Sequence, residues 1–135
     1  MAQRTLDVGT ELPVFTRATG LANWNRYAAV NSEFVPIHMD DEAGKAAGMG
    51  GAFGMGNLQW SYLHALVRSW IGDEGRIVNF SCQFRSPNVK GQTVEAHGKV
   101  VGVRDEGGEK LVDLEIWTIA NGETVLAPGK ATVAL

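Results

Sequence analysis

Residues 52–72, AFGMGNLQWSYLHALVRSWIG, restrict the possible folds more than any other segment. At helical spacing Leu58, Tyr62, Ala65, Leu66 and Ser69 fall on one face, while Trp60, Leu63, Val67, Trp70 and Ile71 spread apolar bulk around the rest. A helix apolar over so much of its circumference has to be covered on several sides. Gly72-Asp73 supplies its stop. The chain has 135 residues, enough for one domain with a real core and too few for two, so residues 1–135 are read as one unit. The cover must come from the rest of the same chain.

Upstream, ELPVFTRAT (11–19) alternates weakly and is expected to be a strand. LANWNRYAAV (21–30) carries Leu21, Trp24 and Ala28 at helical spacing, with Thr19 near enough to cap it. Pro36 stops that helix and biases Val35 towards an extended backbone. Asp40, Asp41 and Glu42 open a short helix to Ala47, with acids at its positive end, and Gly48 ends it. After Gly75 the pattern changes to period two, and 76–86, 92–105, 110–120 and 124–135 all read as strands. The connections SPNVKG, EGGE and NGE resemble hairpin turns, which favours an antiparallel meander. A curved sheet wrapped around one buried helix satisfies this order best: an α+β chain of the kind called a hot-dog fold. An exposed sheet edge invites pairing, so a dimer is expected.

Composition removes several function classes. Hydrophobic content of 44% and charged content of 20% are those of a globular protein. The net charge of -3 and the lack of a Lys/Arg cluster argue against a nucleic-acid partner. With no basic amphipathic stretch and no apolar run of ~20 residues, no membrane role is expected. MAQRTLDVGTELP lacks the apolar core of a signal peptide, and a cytoplasmic protein is expected. The single cysteine, Cys82, excludes an internal disulfide and a cysteine-based metal site; it is read as buried and inert. His64 and His97, far from other ligating residues, are read as structural, and no metal site is expected. Trp24, Trp60, Trp70 and Trp117 are read as core or interface.

The chemistry concentrates between residues 31 and 57. Glu33 and His38 lie five apart on one loop, stiffened by Pro36. Histidine titrates near neutral pH, and a carboxylate beside it can fix its tautomer or share a proton transfer. The bland alternative is a solvated loop. Six glycines follow within residues 44–56, the last two, Gly54 and Gly56, at the start of the central helix. Backbone N–H groups there have no intrahelical partner and can bind a developing oxyanion. A flexible connection, or glycine used for tight packing, explains the same run equally well.

These residues carry a resemblance. Tyr27-Ala-Ala-Val-Asn-Ser-Glu33-Phe-Val35-Pro36-Ile-His38-Met-Asp-Asp resembles the signature of the MaoC-like, (R)-specific enoyl-thioester hydratases, an aromatic followed by Ser-Gly-Asp-x-Asn-Pro-x-His-x-Asp. The likeness continues through Gly48, Gly56, Leu58 and SWIGD (69–73), where it is closest to the dehydratase subunits of mycolic-acid elongation. FRSPNVKGQTV (84–94) resembles the family's phenylalanine-x-x-proline strand and turn. The resemblance implies reversible addition of water to a trans-2-enoyl thioester, giving the (R)-3-hydroxyacyl product. Glu33 stands at the aspartate position and His38 at the histidine; the pair would activate the water and return a proton to Cα. The Gly56 N–H would polarise the thioester carbonyl, a contact worth about a hundred- to a thousandfold in rate. Asn57 is a candidate polar contact to the thioester, and Leu58 and Tyr62 are expected along the acyl chain.

Four positions depart from the pattern: Glu33 for aspartate, Val35 for asparagine, Ser32 for glycine, and Met55-Gly56-Asn57 for His-Gly-Met. The implied partner is an acyl-CoA or acyl-carrier thioester, with no cofactor beyond what the substrate carries. The implied assembly is a homodimer, or a heteromer with a second MaoC-like chain. Two alternatives accompany this reading: a non-catalytic or half-catalytic subunit of such a heteromer, and a hot-dog thioesterase.

Overall fold

The computed structural model describes residues 6–135; the first five residues of the N-terminal stretch discussed above lie outside the described residues. The chain runs β1 (Phe15–Ala18), α1 (Leu21–Asn31), a 3-10 turn (Pro36–His38), α2 (Asp41–Ala46), α3 (Gly56–Ile71), β2 (Arg76–Cys82), β3 (Thr93–Glu106), β4 (Glu109–Ala120) and β5 (Thr124–Ala134). The five strands form one antiparallel sheet in the order β1-β3-β4-β5-β2. Register shifts insert an extra residue into β3 at Val101, into β5 at Leu126 and into β2 at Val78, and bend those strands. The sheet curls around α3, which packs against β1, β3, β4 and β5. This is the α+β hot-dog architecture expected from the element order.

Periodicity explains the packing. Val94, Ala96 and Val100 on β3 face inward at period two, as do Val112, Leu114, Ile116 and Ala120 on β4. They meet Leu58, Leu63, Leu66, Val67 and Ile71 of α3 in one core. The buried residues of α3 run around it from Leu58 through Leu66 and Leu63 to Ile71, more than half of its circumference, so the helix is covered on several sides. The buried stripe of α3 differs from the expected face, however. It holds Gln59, Tyr62, Leu63, Leu66 and Val67, whereas Ser69 is exposed and Ala65 only half-buried. At 3.6 residues per turn the stripe therefore centres on Gln59, Leu63 and Leu66, and Ser69 lies at its margin. The helix also begins at Gly56 rather than Ala52, because the backbone before it pairs sideways: Phe53 bridges Val89, and Gly54 N–H donates to Asn88 O at 2.7 Å.

The meander holds for β3-β4-β5 and fails for β2. The sequence predicts SPNVKG to be a hairpin turn into β3, but β2 pairs with β5, at the far side of the meander from β3. Residues 83–92 instead carry the chain across the end of the sheet. On the way Gln83 N–H donates to Pro128 O and Arg85 N–H to Leu126 O, and the segment then runs beside the start of α3. Cys82, expected to be buried, is half-buried at the end of β2; burial still pushes its thiol pKa up, which suppresses the thiolate.

Two exchanges on α3 test this packing. Leu63→Ala should cost about 2–5 kcal/mol by urea denaturation, the range for a fully enclosed leucine. Ser69→Ala, on the exposed margin, should stay within about 0.5 kcal/mol of the parent chain.

Candidate active site

Local backbone rules bring Glu33 and His38 to one end of the core. Ser32 closes α1 in the left-handed region at φ 53, and Glu33 N–H then donates to Ala28 O at 3.0 Å. Val35 is extended at φ -101, ψ 123, as a residue before proline should be, and Pro36 opens the 3-10 turn. The turn's own bond, His38 N–H to Val35 O, turns the imidazole inward, where it is 9% exposed. There His38 Nδ1 lies 2.7 Å from Phe53 O, and the two rings meet edge to face at 5.3 Å. A carbonyl oxygen only accepts, so Nδ1 carries the proton. In the neutral ring Nε2 then keeps its lone pair.

Glu33 reaches the same helix start by another route. Its Oε1 accepts from Asn57 Nδ2 at 2.9 Å, while Oε2 is buried and has no partner among the described residues. Asn57, a candidate contact to the thioester, thus has its amide engaged with the acid. Gly56 is the first residue of α3, where backbone N–H groups lack intrahelical acceptors, and Met55 places no side-chain cap over it. A Cβ at Gly56 would lie 2.8 Å from the Phe84 ring. Close approach is therefore what demands glycine there, and a side chain would close the entrance to the helix terminus.

The glycine run beforehand also serves packing. A Cβ on Gly44 would sit 2.0 Å from Gly51 O, so α2 and the loop touch backbone to backbone. The acids at α2 divide the remaining work. Asp40 Oδ2 caps the helix by accepting from Ala43 N–H at 3.0 Å. Asp41 accepts from Ala52 N–H at 3.0 Å and from Lys90 Nζ at 2.7 Å, tying the loop to the crossing segment.

His38, Phe53, Gly54, Gly56, Gln59, Phe84, Asn88 and Leu126 line a cleft of about 290 Å³, with Arg85, Ser86 and Pro87 at its edge. Glu33 lies outside this lining. Leu58 and Tyr62, expected along an acyl chain, lie outside it too: both belong to the core, and Tyr62 Oη accepts from Asn23 Nδ2 at 2.7 Å. Gln59, Phe84, Asn88 and Leu126 were not singled out from the sequence. For Gln59 a signal existed, since a lone amide sits between Tyr62, Leu63 and Leu66 in the apolar stripe. A larger groove of about 1000 Å³ runs over β2, β4 and β5; it holds no histidine and shares Arg85 with the cleft at the start of α3.

The remaining histidines are packed in ring contacts. His64 stacks on Phe80 at 3.8 Å and its Nδ1 donates to Trp60 O, and His97 stacks on Trp117 at 5.6 Å. Among the described residues no group of three or more His, Cys, Asp and Glu is placed to hold a metal ion. Nor is any helix among them long and apolar enough to cross a membrane.

Solved structures share this hot-dog fold over nearly the whole chain. The (R)-hydratase from A. caviae involved in PHA biosynthesis is 22% identical with a TM-score of 0.86, covering 98% of this chain and 99% of that one. A chain of the ChsH1-ChsH2 complex from Mycobacterium tuberculosis is 18% identical, TM-score 0.86, with 97% and 99% covered. A chain of the HadBC (3R-hydroxyacyl-ACP dehydratase) complex from the same organism is 13% identical, TM-score 0.77, with 98% and 100% covered. At these identities the likeness is one of fold. The sequence itself matches the family model of the MaoC like domain over residues 4–121, and the chain belongs to that family. No curated protein matches it significantly.

The Asp41 tether has a defined pH signature. Lys90, and next the Ala52 N–H, hold its carboxyl below the ordinary carboxylate value. A depressed folded pKa stabilises above the unfolded value and is lost as pH falls through the folded one. Asp41→Asn should therefore lower the melting temperature at pH 7, and the gap to the parent should close below about pH 4.

Proposed function

We propose that this chain hydrates trans-2-enoyl thioesters reversibly to (R)-3-hydroxyacyl thioesters. The observation that carries the reading is His38: buried beside the cleft, with Nδ1 spent on Phe53 O, it keeps Nε2 for a reacting molecule. Glu33 complements it. One carboxylate oxygen is fixed by Asn57 and the other is buried without a donor, which suits it to accept a hydrogen bond from water. Water then gives a proton to the acid/histidine pair as its oxygen bonds to C3, and the pair returns a proton to C2. The electron density that moves onto the thioester oxygen meets the Gly56 N–H at the positive end of α3. Conjugation with the thioester already acidifies C2, so the chemistry calls for no metal or organic cofactor. Family membership and the (R)-hydratase and dehydratase structures that share the fold support this reading.

The assembly we infer is a dimer through β2. That strand has a sheet neighbour on one side only, β5, and Val78 is 48% exposed on it. A second copy of this chain fits that edge, and so does a related chain, as the ChsH1-ChsH2 and HadBC complexes illustrate for their own subunits. The heteromer reading is weakened by the Glu33–Asn57 hydrogen bond, because a chain relieved of catalysis has no need to position an acid.

Loss of enoyl-thioester absorbance with crotonyl-CoA tests the reaction, and the size of the purified chain tests the assembly. Glu33→Gln and His38→Ala should each lower kcat/KM by about 10²–10⁴ without shifting the melting temperature enough to explain it. A chain that is monomeric and inert alone, yet active with a second MaoC-like chain, would replace the homodimer reading.

A further inference from the structure

Gln59 stands in the middle of the apolar stripe of α3 and is 4% exposed. Neither Nε2 nor Oε1 has a hydrogen-bond partner among the described residues. Placing a primary amide in a core and leaving both ends unmet is destabilising, and proteins tolerate it where an ordered water, a catalytic role or a ligand accounts for the bonds. The location fits the last of these. Gln59 is one turn after Gly56, helical side chains lean back towards the helix start, and Gln59 lines the cleft together with His38 and Gly56. Asn88 lines the same cleft and is also buried; its Nδ2 donates to Thr19 Oγ1 and Gln92 Oε1, but its Oδ1 has no partner.

We propose that Gln59 is a specificity residue for a substrate whose acyl part carries a hydroxyl in addition to the reacting enoyl carbons. The reading rests on the hydratase function proposed above and narrows its substrate class. Among the residues that line the cleft, the unmet groups are the two N–H bonds of Gln59 Nε2 and two acceptors, Gln59 Oε1 and Asn88 Oδ1. A hydroxyl accepts from the first and donates to one of the others, whereas a carboxylate cannot donate at all. The cleft also carries the Phe84 ring and Leu126, which suit the hydrocarbon around that hydroxyl, and the polar side chains Arg85 and Ser86. A plain alkyl chain would leave the amide dry and unpaired, so the site should discriminate against it.

The test compares the parent chain with Gln59→Leu, by calorimetric binding of non-reacting saturated thioesters and by turnover of the matched enoyl thioesters. The non-reacting ligands are pentanoyl-CoA, 4-hydroxypentanoyl-CoA and 5-hydroxypentanoyl-CoA; (R)-3-hydroxypentanoyl-CoA, which the proposed reaction interconverts with its enoyl thioester, is added as the product-state comparison. The parent should bind the 4- or 5-hydroxy thioester about tenfold or more tighter than pentanoyl-CoA, and Gln59→Leu should abolish or reverse that preference. Its melting temperature should hold or rise, because leucine suits the stripe better than an unpaired amide. Equal binding of pentanoyl-CoA and the 4- and 5-hydroxy thioesters by the parent overturns the proposal. So does a preference confined to the 3-hydroxy ligand, which would put Gln59 at the reacting carbon, and so does a marked fall in melting temperature on Gln59→Leu. Absence of turnover alongside the expected binding preference would sink the hydration reading while leaving the role of Gln59 in place.

Discussion

Everything in this fold answers to the need to enclose α3. Leu58, Leu66, Leu63 and Ile71 are all buried and together spread over more than half of the helix circumference, so no single flat layer can cover them. A sheet that bends is the economical answer. Its bulges on β2, β3 and β5 supply the bend, and inward residues spaced two apart supply the cover. Enclosure has a consequence for chemistry, since it seals the sides of the helix and leaves its start as the place where backbone donors meet open space. Glu33 and His38 are delivered to that end by the loop between α1 and α2. The core and the site are thus two outcomes of one packing problem.

The route of residues 83–92 decides how that end is shaped. Because β2 pairs with β5, the chain must return across the sheet to reach β3, and it does so past the first turn of α3. Phe84 is laid over Gly56 and Asn88 against Gly54 by that crossing. A hairpin from β2 into β3 would have left the helix start without a wall. Tethers then fix the crossing in place: Asp41 to Lys90, Gly54 N–H to Asn88 O, and Asn88 to Thr19. All three join segments far apart in the sequence, so the crossing is fixed only when the tertiary fold has brought them together.

This division explains what could be read in the sequence. Strands β3, β4 and β5 and the helices were legible because each declares itself through its own periodicity and its own stops, as with Gly72 after Ile71. Glu33, His38 and Gly56 were legible as candidates because residue type and spacing name them. The partner of β2 was not, since SPNVKG carries turn-forming residues whether it turns within a hairpin or travels across a sheet. The expected face of α3 includes Ser69 because a rotation of about one residue, ~100°, changes little in a pattern apolar on several sides. Asn57 and Gln59 are the instructive cases. Their partners, Glu33 for one and the cleft for the other, come from tertiary structure, and helical spacing alone says nothing of either.

Two of the four departures from the family signature turn out to touch. Glutamate in place of aspartate lengthens the acid by one methylene, and asparagine follows Gly56 where the pattern has methionine. In the fold these two side chains hydrogen-bond at 2.9 Å, so the longer acid is met by a short amide donor where the pattern has an apolar thioether. The bond fixes one oxygen of the carboxylate and leaves the second buried and free. It also sets the negative charge beside the first turn of α3, the positive end of the longest helix. A third departure, Val35 for asparagine, is met by backbone: its carbonyl accepts from His38 N–H and its own N–H donates to Glu33 O. Misplacement of a catalytic group by about an ångström can cost a hundredfold in rate. Departures that restrain the acid and the histidine are therefore what a working variant of the signature requires, whereas scattered, unpaired changes would be the mark of a site released from use.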